Sequence, residues 1–229
     1  MAKPQPMGDR GVVFFLDVDN TLLDNDRVVG DLRRHLSKTL GPEEEQRYFA
    51  IFEALRAELG YADYLGALQR YRAEAPRDLK IIEVSSYLVD YPFANRLFPG
   101  SLDVIERFDS LGSPAILSDG DVVFQPRKIH RSGLFDAVGG RVLIYVHKEH
   151  ELDDVARRYP AEHYVLVDDK VRILSAVKRV WGSRVTTVFP RQGHYAHDAK
   201  EVAKYPAPDV TVERIGDLLD LDASAFVPS

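Results

Sequence analysis

Five apolar residues, Val12-Val13-Phe14-Phe15-Leu16, run without a break into Asp17, and a second carboxylate, Asp19, follows two positions later. Comparable short runs rich in β-branched residues recur at 115–117, 142–146, 164–167 and 185–189. Unbroken apolarity over so few positions predicts strands buried on both faces, as parallel strands are. Helical spacing fills the gaps. Ser101 is placed to cap a helix whose Leu102, Ile105, Phe108 and Leu111 share one face, with Gly112 ending it. A helix over 122–132 closes at Gly133, and one over 151–159 stops before Pro160. The stretch 171–181 puts Ile173, Leu174, Val177 and Trp181 on one side before Gly182. Strand-helix alternation of this kind predicts an α/β fold: an open parallel sheet with helices on both faces.

The segment 25–96 carries helical periodicity and almost no strand signal, so it is expected to be an all-helical insert after the first strand. Pro42 suits a first helical turn, and Glu43, Glu44 and Glu45 complement its positive end. Tyr48, Ile51, Phe52, Leu55 and Leu59 form one apolar stripe, which Gly60 stops. Tyr61, Tyr64, Leu65, Leu68 and Tyr71 form a second, and a third helix is expected around 78–90. The tail from about 206 predicts an edge strand and a last short helix.

Ligands of open α/β sheets bind outside the carboxyl ends of the strands, so those ends hold the candidate chemistry. Asp17 and Asp19 follow the first strand and Ser118-Asp119-Gly120 the second. His147-Lys148-Glu149-His150 follows the third and Asp168-Asp169-Lys170 the fourth. Two acids spaced like Asp17 and Asp19 repel, and burial penalises each further. Either a cation relieves them or the segment is a surface turn. An EF-hand loop is excluded, because its sixth and twelfth places need Gly and Glu and here are Leu22 and Val28.

These strand ends, taken together, resemble the four motifs of the haloacid dehalogenase superfamily in order: Asp17-x-Asp19-x-Thr21, Ser118, Lys148 and Asp168-Asp169. Leu97-Phe98-Pro99-Gly100 and Gly133-Leu134-Phe135-Asp136 are also similar to stretches of that family. The resemblance covers about 12–24 and 97–190; the insert matches only in position and type. It implies a Rossmann-like catalytic core over 1–24 and 97–229 and a helical cap domain over 25–96. It implies a Mg²⁺-dependent phosphatase in which Asp17 is the nucleophile and Asp19 the acid and base. Ser118, Asp119 with the neighbouring backbone N–H groups, and Lys148 would hold the phosphoryl oxygens. Asp17, the backbone carbonyl of Asp19 and a carboxylate of the 168–169 pair would hold the metal, with Asp169 as direct ligand and Asp168 on Lys148 or a metal-bound water. Dehalogenase, phosphonatase and phosphomutase activities share most of these residues, and a non-catalytic phosphate-binding protein is the reading from another class. One departure stands out: four residues beyond the metal-binding Asp, where relatives often carry an acid or Asn, are Arg172 or Ile173.

Other groups are read more plainly. His147 and His150 could share a helix face, but such pairs usually lie at the surface. His194 and His197 fall in a polar loop, the tyrosines of the insert are packing residues, and Asp24 and Asp26 mark the entry into the insert. Arg127-Lys128 with His130-Arg131 is expected to be a solvated helix face.

Composition narrows the partners. The 229 residues are 45% hydrophobic and 29% charged, which is globular, with a formal charge of −6 that argues against nucleic acid or an anionic membrane. The absence of cysteine excludes disulfides and thiol catalysis and fits a reducing cytoplasm. No apolar run approaches the roughly 18 residues of a membrane span, and 1–10 lacks the apolar centre of a signal peptide. A small phosphorylated metabolite is the expected substrate.

Overall fold

The structure is a computed structural model describing residues 11–75 and 79–227. Residues 1–10, read above for a signal peptide, and the expected helix start at 78 lie outside the described residues. Six strands form one parallel sheet: β1 (Val12–Leu16), β2 (Ser113–Asp119), β3 (Val142–Tyr145), β4 (His163–Val167), β5 (Val185–Pro190) and β6 (Val210–Val212). Their order is β3-β2-β1-β4-β5-β6. The chain therefore starts in the middle, builds one half, and returns to build the other beside β1. That return is a topological switch point, where the helices leaving neighbouring strands diverge and a crevice opens at the carboxyl edge.

Strict alternation along the central strand explains helices on both faces. Phe14 and Leu16 enter one core; Val13 and Phe15 enter the other. On the first side Phe14 stacks on Phe108, with ring centroids 4.2 Å apart, and Phe226 meets both rings edge-on. On the second, Tyr164 lies against Phe15 and stacks on Trp181 at 4.2 Å. Helix α1 (Asn25–Thr39) packs on α2 (Pro42–Leu59) and α4 (Ile81–Asp90), and α3 (Tyr64–Glu74) also packs on α2 and α4. The insert is thus a closed ring of four helices. Its buried Tyr48, Phe49, Phe52, Leu55, Tyr64 and Leu68 continue the first core without a break. Chain entry and exit lie side by side: Asp24 N donates to Arg96 O at 2.7 Å and Phe98 N to Leu22 O at 2.9 Å.

The core helices are α5 (Ser101–Leu111), α6 (Phe124–Arg131), α7 (Leu134–Ala137), α8 (Leu152–Arg158), α9 (Val171–Trp181), α10 (Gly193–His197) and α11 (Ala199–Val202). Among the described residues no helix is long and apolar enough to cross a membrane.

Several local expectations are corrected. Gly100, not Ser101, caps α5; the Ser101 hydroxyl instead donates to Leu22 O at 2.8 Å. The buried face of α5 is Val104, Ile105 and Phe108, while Leu102 points to solvent. On α2 the buried residues are Tyr48, Phe49, Phe52 and Leu55, so Phe49 takes the place expected for Ile51, and Ile51 and Leu59 are only partly covered. Tyr61 lies outside α3, whose start is capped by Asp63.

The Phe14–Phe108–Phe226 cluster is closed to water, so Phe14→Ala should leave a cavity and lower stability by about 3–5 kcal/mol in urea unfolding. A loss under about 1 kcal/mol would mean the site collapses around the smaller residue.

Candidate functional site

β1 ends where Asp17 is held 2.9 Å from Val167 O by its own backbone N–H. The chain must then turn at once to leave the sheet. Val18 O accepts from the backbone N–H groups of Thr21, Leu22 and Leu23, and Asn20 adopts a left-handed conformation, φ 60°. Asn is among the few side chains that tolerate it. The turn separates the two acids: Asp17 stays buried among the strand ends, and Asp19 faces the crevice and α6.

Lys148 reaches in from the end of β3. Its ammonium lies 2.6 Å from Asp17 Oδ1 and donates to Leu117 O at 3.0 Å. It also forms an ion pair with Asp168 Oδ2 at 2.7 Å, without good hydrogen-bond alignment. Asp119 fixes the approach, since its Oδ1 accepts from Lys148 N at 2.8 Å. A carboxylate offers an anionic oxygen nothing to bind, so residue 119 can serve a phosphoryl group only through its backbone. Ser118 Oγ lies 3.4 Å from Asp17 Oδ1, and Thr21 Oγ lies 3.4 Å from Oδ2 while accepting from Asp169 N at 3.0 Å.

Asp169 is the unusual member. It is buried, and among the described residues neither side-chain oxygen has a hydrogen-bond partner. Such a group is rarely left unsatisfied. Asp17, Asp168 and Asp169 each offer an oxygen within 4.8 Å of the others, the one group of acids and histidines among the described residues close enough to share an ion. Burial pushes Asp168 up to about 6 despite Lys148, and pushes Asp169 well above the usual carboxylate range. Lys148 shows the reverse: burial opposes its charge, but Asp168, Asp17 and Asp119 together hold it above the ordinary lysine range. An all-oxygen, triply anionic seat fits a hard divalent cation such as Mg²⁺. His147 and His150, with rings 5.5 Å apart, lie outside this group.

Two expectations change here. Lys128 is not on a solvated face. Its side chain is 1% exposed, and its ammonium pairs with Asp19 Oδ1 at 2.6 Å and Asn25 Oδ1 at 3.1 Å. Phe124, Gln125, Lys128 and Ile129 share the buried side of α6. The signal was present in the sequence: at about 100° per residue Lys128 falls in phase between Phe124 and Ile129, whereas Arg127 and His130 fall outside that arc. His194 lies on short helix α10 rather than in a loop, tied to Asp26 through its Nδ1 at 2.6 Å and its backbone N–H at 2.8 Å. Asp26 therefore joins the insert to the core, while Asp24 caps α1 by accepting from Arg27 N. The place of a further acid is taken by Arg172, paired with Glu149, and by buried Ile173.

Above these groups is a crevice of about 630 Å³ between insert and core. Phe49, Phe52, Tyr61 and Tyr64 of the insert face Phe124, His147, Lys170 and Tyr195 of the core across it.

A model of the haloacid dehalogenase-like hydrolases matches residues 12–180. The chain belongs to that family. It is 62% identical to a haloacid dehalogenase-like hydrolase from Burkholderia xenovorans LB400, covering 93% of this chain and 100% of that one, with a TM-score of 0.89. The HAD-hydrolase YfnB of Bacillus subtilis, bound to magnesium, shares the fold at 17% identity (TM-score 0.60; 91% and 96% covered). So does the L-2-haloacid dehalogenase of Xanthobacter autotrophicus with chloropropionic acid covalently bound (19%, 0.57; 92% and 97%). No curated protein matches the sequence. The chain is a hydrolase, and in it Asp17, Ser118, Lys148 and the Asp168-Asp169 pair meet at the switch point.

The raised acids give a pH prediction. A carboxyl whose folded pKa exceeds its unfolded value stabilises the fold below the unfolded value, near 3.8 for Asp168, and that contribution is lost as pH rises through about 6. A cation should restore what is lost. The gain in urea midpoint on adding Mg²⁺ should therefore be larger at pH 7 than at pH 5; equal gains would argue against this seat.

Proposed function

We propose that the protein is a Mg²⁺-dependent phosphatase acting on a small phosphorylated metabolite, with residues 25–96 serving as a cap domain over the crevice. The unpartnered carboxylate of Asp169 beside Asp17 and Asp168 carries this reading. A carbon–halogen hydrolase can use the same nucleophile without metal and has no need of that anionic seat. Asp19 points the same way, because an alkoxide leaving group needs a proton and a departing halide does not.

Asp17 would attack phosphorus through a carboxylate oxygen, giving an aspartyl-phosphate. Asp19 would protonate the leaving oxygen and then take a proton from the water that hydrolyses the intermediate. Ser118 and the backbone beside it would hold phosphoryl oxygens, and the Lys148 ammonium would offset charge developing on them while keeping Asp17 oriented. Asp17, the backbone carbonyl of Asp19 and Asp169 would hold the ion, with Asp168 braced on Lys148. When bound, a divalent cation offsets negative charge on the phosphoryl group and the acids. The insert, packed over the aromatic crevice, would exclude water during transfer.

Purified protein should release phosphate from 4-nitrophenyl phosphate, stop on chelation and recover with Mg²⁺. Release of halide from 2-chloropropionate with no phosphatase activity would establish the dehalogenase instead. Asp17→Asn should leave no measurable turnover, and Asp19→Asn should lose about 10²–10⁴ in rate on an alkyl phosphate, whose leaving group needs the proton. Asp169→Asn should abolish Mg²⁺ binding as read by calorimetry, whereas Asp168→Ala should weaken it roughly 10- to 100-fold. The opposite order would exchange their roles.

A further inference from the structure

We propose that Lys128 is a positioning residue for Asp19: it pins Oδ1, leaving Oδ2 as the oxygen that exchanges protons with leaving group and water. This rests on the phosphatase reading above. A buried ammonium is costly unless paired, and among the described residues Asp19 is the one acid that Lys128 meets, at 2.6 Å. Compensating the acid cluster does not explain it, because Lys148 already serves Asp17 and Asp168.

The two oxygens of Asp19 are consequently unlike. Oδ1 accepts a short, charge-assisted hydrogen bond from Lys128. Among the described residues Oδ2 has only Gln125 Nε2 at 3.4 Å, a weak contact from an amide that bonds Ser118 Oγ better, at 3.0 Å. The carboxyl torsion of an aspartate is broad and would otherwise let either oxygen face the substrate. Lys128 removes that freedom. It also ties the acid to the insert, because Lys128 donates to Asn25 Oδ1 at the start of α1.

In the first step a bond forms between an Asp17 oxygen and phosphorus as the phosphorus–oxygen bond to the leaving group breaks. The proton on Asp19 Oδ2 passes to the leaving oxygen, which departs as a neutral alcohol. In the second, water attacks the aspartyl-phosphate phosphorus, Oδ2 takes its proton, and the Asp17–phosphorus bond breaks to release inorganic phosphate.

The test compares leaving groups. A misplaced acid matters little for 4-nitrophenyl phosphate, whose leaving group departs unprotonated, and much for phenyl phosphate, whose leaving group needs the proton. The ratio of kcat/KM for the two substrates, measured with Mg²⁺, reads only the folded, active molecules. In Lys128→Met that ratio should rise at least about 10-fold in favour of 4-nitrophenyl phosphate, part of the total acid–base contribution. Lys128→Gln, which keeps a shorter donor, should fall between Met and wild type. Equal loss on both substrates, or no loss, overturns the assignment and leaves Lys128 a structural residue. A wild type that hydrolyses neither substrate defeats the phosphatase reading, and this inference with it.

Discussion

Three carboxylates share a space from which water is nearly excluded, and their mutual repulsion is the constraint the rest of the site answers. With Asp17, Asp168 and Asp169 oxygens within 4.8 Å, each ionised pair repels by at least about 3 kcal/mol at an effective dielectric of 20. Burial adds a penalty on every charge. Lys148 offsets part of this by touching two of the three acids, and is itself held charged by them. Asp169 is left over. Among the described residues its two oxygens have no hydrogen-bond partner, and a cation there would complete the neutralisation that the neighbouring lysines begin.

The fold supplies the convergence that local sequence cannot. β1 lies between β2 and β4, so the residues just past all three strands meet without any long loop. Side chains at consecutive strand-end positions point apart, in keeping with the separate roles proposed for Asp168 and Asp169. Asp168 turns toward Lys148, and its Oδ1 accepts from Lys170 N; Asp169 donates its backbone N–H to the Thr21 hydroxyl. Thr21 is the hinge of this geometry, contacting Asp17 with the hydroxyl that also accepts from Asp169 N.

Sheet and strand-end acids were legible because period and position are local properties. Strands buried on both faces show as unbroken apolar runs, and polar groups directly after such runs stand out. Lys128 was not legible as read, for a physical reason. A run of charged neighbours looks like a solvated face, yet consecutive helix residues point about 100° apart, so a run of four cannot share one face. Grouping by helical phase, with Phe124 and Ile129, turns Lys128 inward; only the position of Asp19 after its Asn20 turn supplies the partner. The same holds for His194, whose tie to Asp26 spans 168 residues and has no local signature.

On the proposed mechanism the two carboxylates that would exchange bonds or protons each meet an ammonium, Lys148 for Asp17 and Lys128 for Asp19, and the two lysines come from the successive connections before and after β3. Lys148 is anchored wholly within the core, by Leu117 O and through Asp119. Lys128 is anchored half in the core and half in the insert, through Asn25. The orientation of Asp17 thus does not depend on the insert. Asp19 is held by a lysine that also meets the start of α1, so the geometry that would protonate a leaving group draws in part on a contact from the insert that walls the crevice.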